Sequence, residues 1–169
     1  MSWFVEQILV AAHLISGAAW FGALVYRTFF VDPKARAFFT KPGDYEHFAL
    51  QQADGMRYVV AAALLVCGAS GFALLGLHWS EVDPRWWTLM IAKSVIWLIA
   101  FMVFIYISWV YWPYRVFATE AEFPRYQRQG LLLALVMIAF AASGILAGQL
   151  ARSLPLGAQA SSDFVQTSH

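Results

Sequence analysis

The chain has little cysteine and little charge, and both shortages exclude whole classes of protein. Its 169 residues include one cysteine, Cys67, so an internal disulfide, a Cys-x-x-Cys site and a c-type haem attachment motif are excluded. Charged residues make up 12% of the chain and the formal net charge is +1, whereas a nucleic-acid partner requires a basic stripe. Hydrophobic residues account for 61%, which is too many for an ordinary soluble domain and indicates a membrane protein.

Four long apolar runs dominate the sequence, at residues 3–30, 58–77, 86–110 and 131–150. Each is long enough for a transmembrane helix, which needs about 20 residues to cross about 30 Å of hydrocarbon. Short alternating segments typical of a membrane β-barrel do not appear. The sequence therefore predicts an all-α, polytopic membrane protein, a four-helix up-and-down bundle embedded in a lipid bilayer. Residues 1–152 form this domain, and 153–169 are predicted to be a disordered tail.

Lysine and arginine are concentrated in two of the predicted loops, which sets the orientation. The first loop and its flanks, and the third loop, carry eight of these side chains: Arg27, Lys34, Arg36, Lys41, Arg57, Arg115, Arg125 and Arg128. The second loop has only Arg85 and the tail only Arg152. Loops one and three are therefore predicted to be cytoplasmic and both termini outside. The first run has no basic segment before it, so we expect it to be retained as a span rather than cleaved as a signal peptide.

Local signals suggest how the spans begin and end. Asp32-Pro33 is expected to break the first helix, and Asp44 is expected to cap a new helix over 44–57 that continues into span two, with Gly55 as a weak point. No internal repeat is evident in the sequence. Gly144-x-x-x-Gly148 is typical of close helix packing in membranes and is interpreted as a packing seam.

His13 and Lys93 lie inside the first and third apolar runs, where an ionisable side chain costs about 2.5–3.5 kcal/mol on insertion scales. His13 follows Glu6 by seven residues, or about 10 Å of helix, and Lys93 lies at a similar depth, about 9 Å below the aromatic pair Trp86-Trp87. Spans one and three run in the same direction. The two side chains are therefore predicted to share one depth, where they could meet.

Several chemistries suit such a pair. A neutral imidazole binds metal or haem, and a lysine ammonium pairs with carboxylates such as a haem propionate. Alternatively, Lys93 reaches the interface or rests on Trp97, and His13 simply hydrogen-bonds a backbone carbonyl. Trp20 and Arg27 share the helical stripe of His13; Arg27 either anchors the helix end or neutralises an anionic group of a ligand.

Other candidate ligands are weaker. His78 lies near the outer end of span two, too shallow to oppose His13 as a second axial ligand, and is interpreted as an interfacial histidine. Copper favours soft ligands, yet the methionines are scattered and form no Met-x-x-Met cluster. His13 is thus the leading candidate ligand for a metal, and copper and haem b both remain open.

The run from His13 to Arg27, HLISGAAWFGALVYR, resembles the first span of the copper-resistance D (CopD-like) family of bacterial inner-membrane proteins. Gly68 to Gly76 in span two and Ala92-Lys93 in span three also resemble that family. The resemblance covers most of residues 8–150. It implies an inner-membrane protein that handles copper or a haem-linked species, with His13 as ligand and Lys93 as its charged neighbour.

The layout is also similar to that of HemJ-type protoporphyrinogen oxidases, which bind haem b. His13, Trp20, Tyr26, Arg27 and Lys93 match that pattern, whereas residues 125–130 (RYQRQG) differ from its motif before span four. This resemblance implies an oxidoreductase acting on protoporphyrinogen IX. A third hypothesis is a non-catalytic accessory subunit, in a homo-oligomer or a larger membrane complex, that docks through seams such as Gly144-x-x-x-Gly148.

Overall fold

The computed structural model describes residues 3–79 and 84–153, and this part of the chain is almost entirely helical. Its α-helices are α1 (Trp3–Tyr26), α2 (Asp32–Phe38), α3 (Pro42–Leu77), α4 (Pro84–Tyr106), α5 (Trp112–Val116) and α6 (Phe123–Ser153). A π-helical turn, Arg27–Val31, joins α1 to α2, and a second, Ile107–Tyr111, joins α4 to α5. A 3-10 turn, Glu120–Glu122, precedes α6.

These elements form four continuous spans, Trp3–Phe38, Pro42–Leu77, Pro84–Val116 and Glu120–Ser153, each long and apolar enough to cross a membrane. The predicted all-α membrane bundle of four spans is therefore confirmed. Each span is longer than the apolar run that predicted it, because polar residues extend the helices beyond the hydrocarbon-length core. Ser153 is the last residue of α6, and the remainder of the predicted tail, 154–169, lies outside the described residues.

The prediction that Asp32-Pro33 breaks the first helix is wrong. Asp32 donates its backbone N–H to the carbonyl of Arg27, five residues back, so the helix widens into a π turn before the proline. Pro33 then stands in the first turn of α2. A proline in a regular helix loses a hydrogen bond and clashes with a carbonyl one turn earlier; the wider turn lets the helix continue past it.

The start of the second span also differs from expectation. The helix begins at Pro42 with Lys41, in an extended conformation, as the N-cap, so the prediction of Asp44 as N-cap is wrong. Asp44 instead lies in the first turn, where its negative charge favours the helix N-terminus. The expected continuation into span two is found: α3 runs without interruption through Gly55 to Leu77.

The four spans share one apolar core. Its buried members come from every span: Trp20, Leu64, Ala100, Phe104, Met137 and Ala141. Contacts between helix ends show that neighbouring spans alternate in direction, since Glu6 at the start of α1 reaches His78, just past the end of α3. Glu46 near the start of α3 likewise contacts Arg115 near the end of the third span. We call the end formed by residues 27–57 and 111–128 the charged end, and the other the opposite end.

An internal repeat, which the sequence did not reveal, relates the two halves. The π turns begin at residues 27 and 107 (107 − 27 = 80) and have the same length, and each is followed by a helix with proline at its second residue, Pro33 or Pro113. A buried hydroxyl residue, Thr28 or Ser108, occupies the second position of each turn. Residues 3–77 and 84–153 thus form two helical hairpins in 80-residue register.

Candidate functional site

His13 is held by the backbone of α3. Its Nδ1 lies 2.8 Å from the carbonyl oxygen of Cys67, and the hydroxyl of Ser70 lies 3.5 Å from the same nitrogen. Gly71 makes this approach possible: a Cβ there would come within 2.9 Å of the imidazole Cε1. A larger residue at position 71 would push the ring away from its carbonyl acceptor. The ring orientation therefore follows from the glycine and carbonyl of the neighbouring helix.

Lys93 meets His13 between the two hairpins. Its Nζ lies 3.4 Å from the Nε2 of His13, and Gly148 leaves room for the ammonium, since a Cβ there would lie 3.3 Å from Nζ. The two side chains are both half-buried. The sequence predicted only that they share one depth, and the structure brings them into contact. His13 and Lys93 are also equivalent positions of the 80-residue repeat, so the pair lies where the two halves face each other.

The hydrogen bonds assign the proton on the imidazole. Nδ1–H donates to the Cys67 carbonyl, which leaves the lone pair of Nε2 to accept from the Lys93 ammonium. None of the salt bridges formed by the described residues includes Lys93. The pair thus carries a positive charge that no carboxylate in the described part of the chain neutralises. An ionisable group in this setting normally marks a functional site.

Two tryptophans, of which Trp20 is buried and Trp97 half-buried, lie deeper on the same helices. Trp20, seven residues or about 10 Å beyond His13, is 6% exposed and belongs to the shared core. Trp97 follows Lys93 by one helical turn, and its ring occupies the space that a Cβ on Gly68 would fill. The indole Nε1 of each is buried and has no acceptor among the described residues. Two hydrogen-bond donors are therefore left without partners in the apolar interior.

Arg27 belongs to a different region from His13. It lies fourteen residues further along the first span, about 21 Å at about 1.5 Å per residue. Its guanidinium is 3.7 Å from the carboxylate of Asp32 and stacks over Trp112 at 5.2 Å from the ring centroid. It also reaches the carbonyl of Ala49 at 3.5 Å. Of the four predicted site residues, the structure thus brings together His13 and Lys93 and places Arg27 at the charged end.

His78 sits at the opposite end, as an interfacial histidine would. Its Nε2 is 3.5 Å from a carboxylate oxygen of Glu6, and both side chains are about 40% exposed. Its Nδ1 lies 3.1 Å from the carbonyl of Leu74 in its own helix. This pair ties the start of α1 to the end of α3, and among the histidines of residues 3–79 and 84–153 His13 is the one inside the bundle.

A buried ion pair at the charged end was missed by the sequence reasoning. Arg115 donates to both carboxylate oxygens of Glu46 at 2.6 and 2.8 Å, and Gln127 donates to the same carboxylate at 2.9 Å. Glu46 is 3% exposed and Arg115 4%, and the guanidinium stacks over Trp112 at 4.8 Å from the ring centroid. The sequence indicates only that Arg115 is one of the loop cations that set orientation, and it offers no pattern that pairs Arg115 with Glu46.

The side chains around His13 can be compared with what a copper ion and a haem would each need. In the described residues no group of three histidine, cysteine or acidic side chains could hold a metal ion. The Cys67 sulfur lies 3.7 Å from Nδ1, on the side of the imidazole away from Nε2, so the two do not converge on a copper ion. A haem would need a histidine nitrogen for its iron and a cation for a propionate. His13 Nε2 already faces Lys93 Nζ at 3.4 Å, so it could bind the iron only if Lys93 turned away, and Lys93 would then be the cation available to a propionate.

Comparison of the chain with protein-family models, curated proteins and solved structures finds no match.

Proposed function

We propose that the chain is a CopD-like protein of a bacterial inner membrane that binds a haem-type ligand at the His13–Lys93 pair. Loops one and three lie in the cytoplasm in this proposal, and the site lies in the outer leaflet. Spans one and three carry the sequence features on which the resemblance rests. One observation carries the proposal: Nε2 of an oriented, neutral imidazole faces an ammonium that forms no salt bridge with the carboxylates of residues 3–79 and 84–153.

Each residue has a role in this arrangement. The Cys67 carbonyl fixes the imidazole with Nδ1 protonated, as outer hydrogen-bond partners do for histidines that bind metals. Lys93 supplies the positive charge that a propionate needs in an apolar medium. Haem b bound there would supply a redox-active iron. The protein's own contribution is to bind, to orient and to exclude water.

The test is a titration of the full-length, detergent-purified chain with haem b, followed by its Soret absorption. We expect saturable binding in the parent and a loss of affinity of more than about tenfold in His13→Ala, since even outer partners of a ligand contribute about 10–100-fold. His78→Ala is the matched control, because it removes a histidine at the opposite end that is already paired with Glu6. It should leave the titration unchanged.

Other outcomes separate the alternatives. If the purified protein contains stoichiometric copper and no haem, copper becomes the proposed ligand and the proposed family stays the same. Haem binding accompanied by oxidation of protoporphyrinogen IX, lost in His13→Ala, would favour the HemJ-type enzyme. If the parent binds neither cofactor but purifies with other membrane proteins, the accessory-subunit hypothesis replaces both.

A further inference from the structure

A groove at the charged end is lined almost entirely by aromatic and aliphatic side chains. It has a volume of about 530 Å³, within the range of about 300–1,000 Å³ that is usual for ligand sites. One wall is the stacked pair Tyr26 and Phe30, with ring centroids 6.0 Å apart. The other is formed by Phe39 and Phe48, whose centroids are 5.6 Å apart. Val31, Lys34, Ala35 and Phe38 complete the lining.

The internal repeat identifies which residues of the second hairpin correspond to the lining of this groove. The position equivalent to Ala35, shifted by 80 residues, is Arg115. Arg115 is buried and its guanidinium binds Glu46, whereas Ala35 contributes only a methyl group to the lining of the groove. Val31 corresponds in the same way to the larger Tyr111. At these two positions the lining of the groove thus has smaller side chains than the second hairpin has.

Lys34 gives the groove its charge. It is the one basic residue of the lining, it is exposed, and it forms no salt bridge with the carboxylates of the described residues. The surrounding segment, residues 27–41, holds four basic side chains and one acidic one. Its acidic residue, Asp32, is already paired with Arg27. The segment therefore has an excess of positive charge beside an apolar groove at the end of a membrane span.

We propose that this groove is a binding site for an anionic phospholipid of the surrounding leaflet. An acyl chain lies along the aromatic walls, and the phosphate of the headgroup is held at Lys34. The occupant follows from charge complementarity and position: basic pockets at the ends of transmembrane helices attract anionic headgroups, and aromatic rings concentrate at the same level of the membrane. A zwitterionic lipid has the same acyl chains but lacks the net negative charge that the basic segment 27–41 attracts.

The experiment is native mass spectrometry of the full-length chain in detergent, titrated separately with dioleoyl phosphatidylglycerol and dioleoyl phosphatidylcholine. We expect tighter binding of phosphatidylglycerol in the parent and about fivefold weaker binding in Lys34→Gln, which is the effect of about 1 kcal/mol per lysine near an anionic headgroup. Lys34→Arg should keep the affinity. Lys41→Gln is the matched control, because it removes the same charge from the same segment outside the groove lining.

Each outcome of this titration either supports or overturns the proposed lipid site. A loss confined to Lys34→Gln supports the site, and so does weaker binding of both lipids in Phe38→Ala, which removes an exposed aromatic ring from the groove lining. Equal binding of the two lipids overturns the proposal. Equal losses in Lys34→Gln and Lys41→Gln also overturn it, since they would show attraction to the whole basic segment. A dimer that forms through this groove and excludes lipid would show that a second copy is the occupant.

Discussion

Charged side chains lie inside this bundle in two places, the Glu46–Arg115 cluster at the charged end and the His13–Lys93 pair near the opposite end. In the first, both ions are almost fully buried, opposite in sign and joined by two hydrogen bonds, with Gln127 as a further donor. In the second, an ammonium faces a neutral imidazole, and both remain half-buried. The first arrangement is complete within the protein. The second has a charge left over, which is what a binding site for an anionic group requires.

The largest effect is expected from breaking the complete cluster. Arg115→Met leaves the Glu46 carboxylate buried without its partner, and we expect a loss of about 3–5 kcal/mol in the free energy of unfolding. The measurement is helix content by circular dichroism as the mole fraction of dodecyl sulfate in mixed micelles is raised.

Two controls define that result. Arg125→Met removes an exposed arginine from the same end and should change stability by less than about 1 kcal/mol. In the double variant Glu46→Leu with Arg115→Met, most of the stability should return, because an apolar pair often replaces a buried ion pair without loss. A cost for Arg115→Met no greater than that for Arg125→Met would contradict the structural role of the cluster.

An intermediate effect is expected from crowding the imidazole. In Gly71→Ala the new Cβ would lie 2.9 Å from Cε1 of His13, so the ring must shift from the Cys67 carbonyl. We expect a loss of about 1–3 kcal/mol, typical of an overpacked contact, together with weaker haem binding in the Soret titration. Gly76→Ala in the same helix meets nothing within 4 Å and should be neutral or slightly stabilising. Equal behaviour of the two alanine variants would show that the close contact does not hold the ring.

The smallest change in stability is expected from the residue with the leftover charge. Lys93→Met removes an ammonium that has no carboxylate partner in the described part of the chain, so the stability should stay within about 1 kcal/mol of the parent or rise, given the cost of a cation in hydrocarbon. Affinity for haem should nevertheless fall in the same variant. A loss of several kcal/mol, comparable with Arg115→Met, would make Lys93 a structural residue and remove the distinction between the two sites.

Counting residues along helices was enough to predict that His13 and Lys93 share one depth, because helical rise is constant and the direction of each span followed from the loops. The same counting did not predict the Glu46–Arg115 ion pair at the charged end. Glu46 lies in the predicted helix 44–57, outside the apolar runs, and its pairing with Arg115 joins residues 69 positions apart. That contact depends on how the hairpins pack, which periodicity does not specify.

The π turns and the repeat could not be predicted from the sequence, for related reasons. A proline signals a helix break when only the local sequence is considered, and a widened turn that accommodates it leaves no distinct pattern. Some residues do recur at the 80-residue interval, among them Tyr26 and Tyr106, and Gly68 and Gly148. Most positions differ, since what the two hairpins share is the placement of turns and small residues rather than side-chain identity.

The repeat has a consequence for the kind of ligand the pair can hold. In a symmetric dimer of identical two-span chains, positions that face each other across the two-fold axis must carry the same residue, so such a site offers two histidines or two lysines. Joining both hairpins in one polypeptide removes that restriction. Positions 13 and 93 can then carry different residues, so that His13 presents a lone pair and Lys93 a positive charge. Such a site can distinguish the two faces or edges of an unsymmetrical ligand.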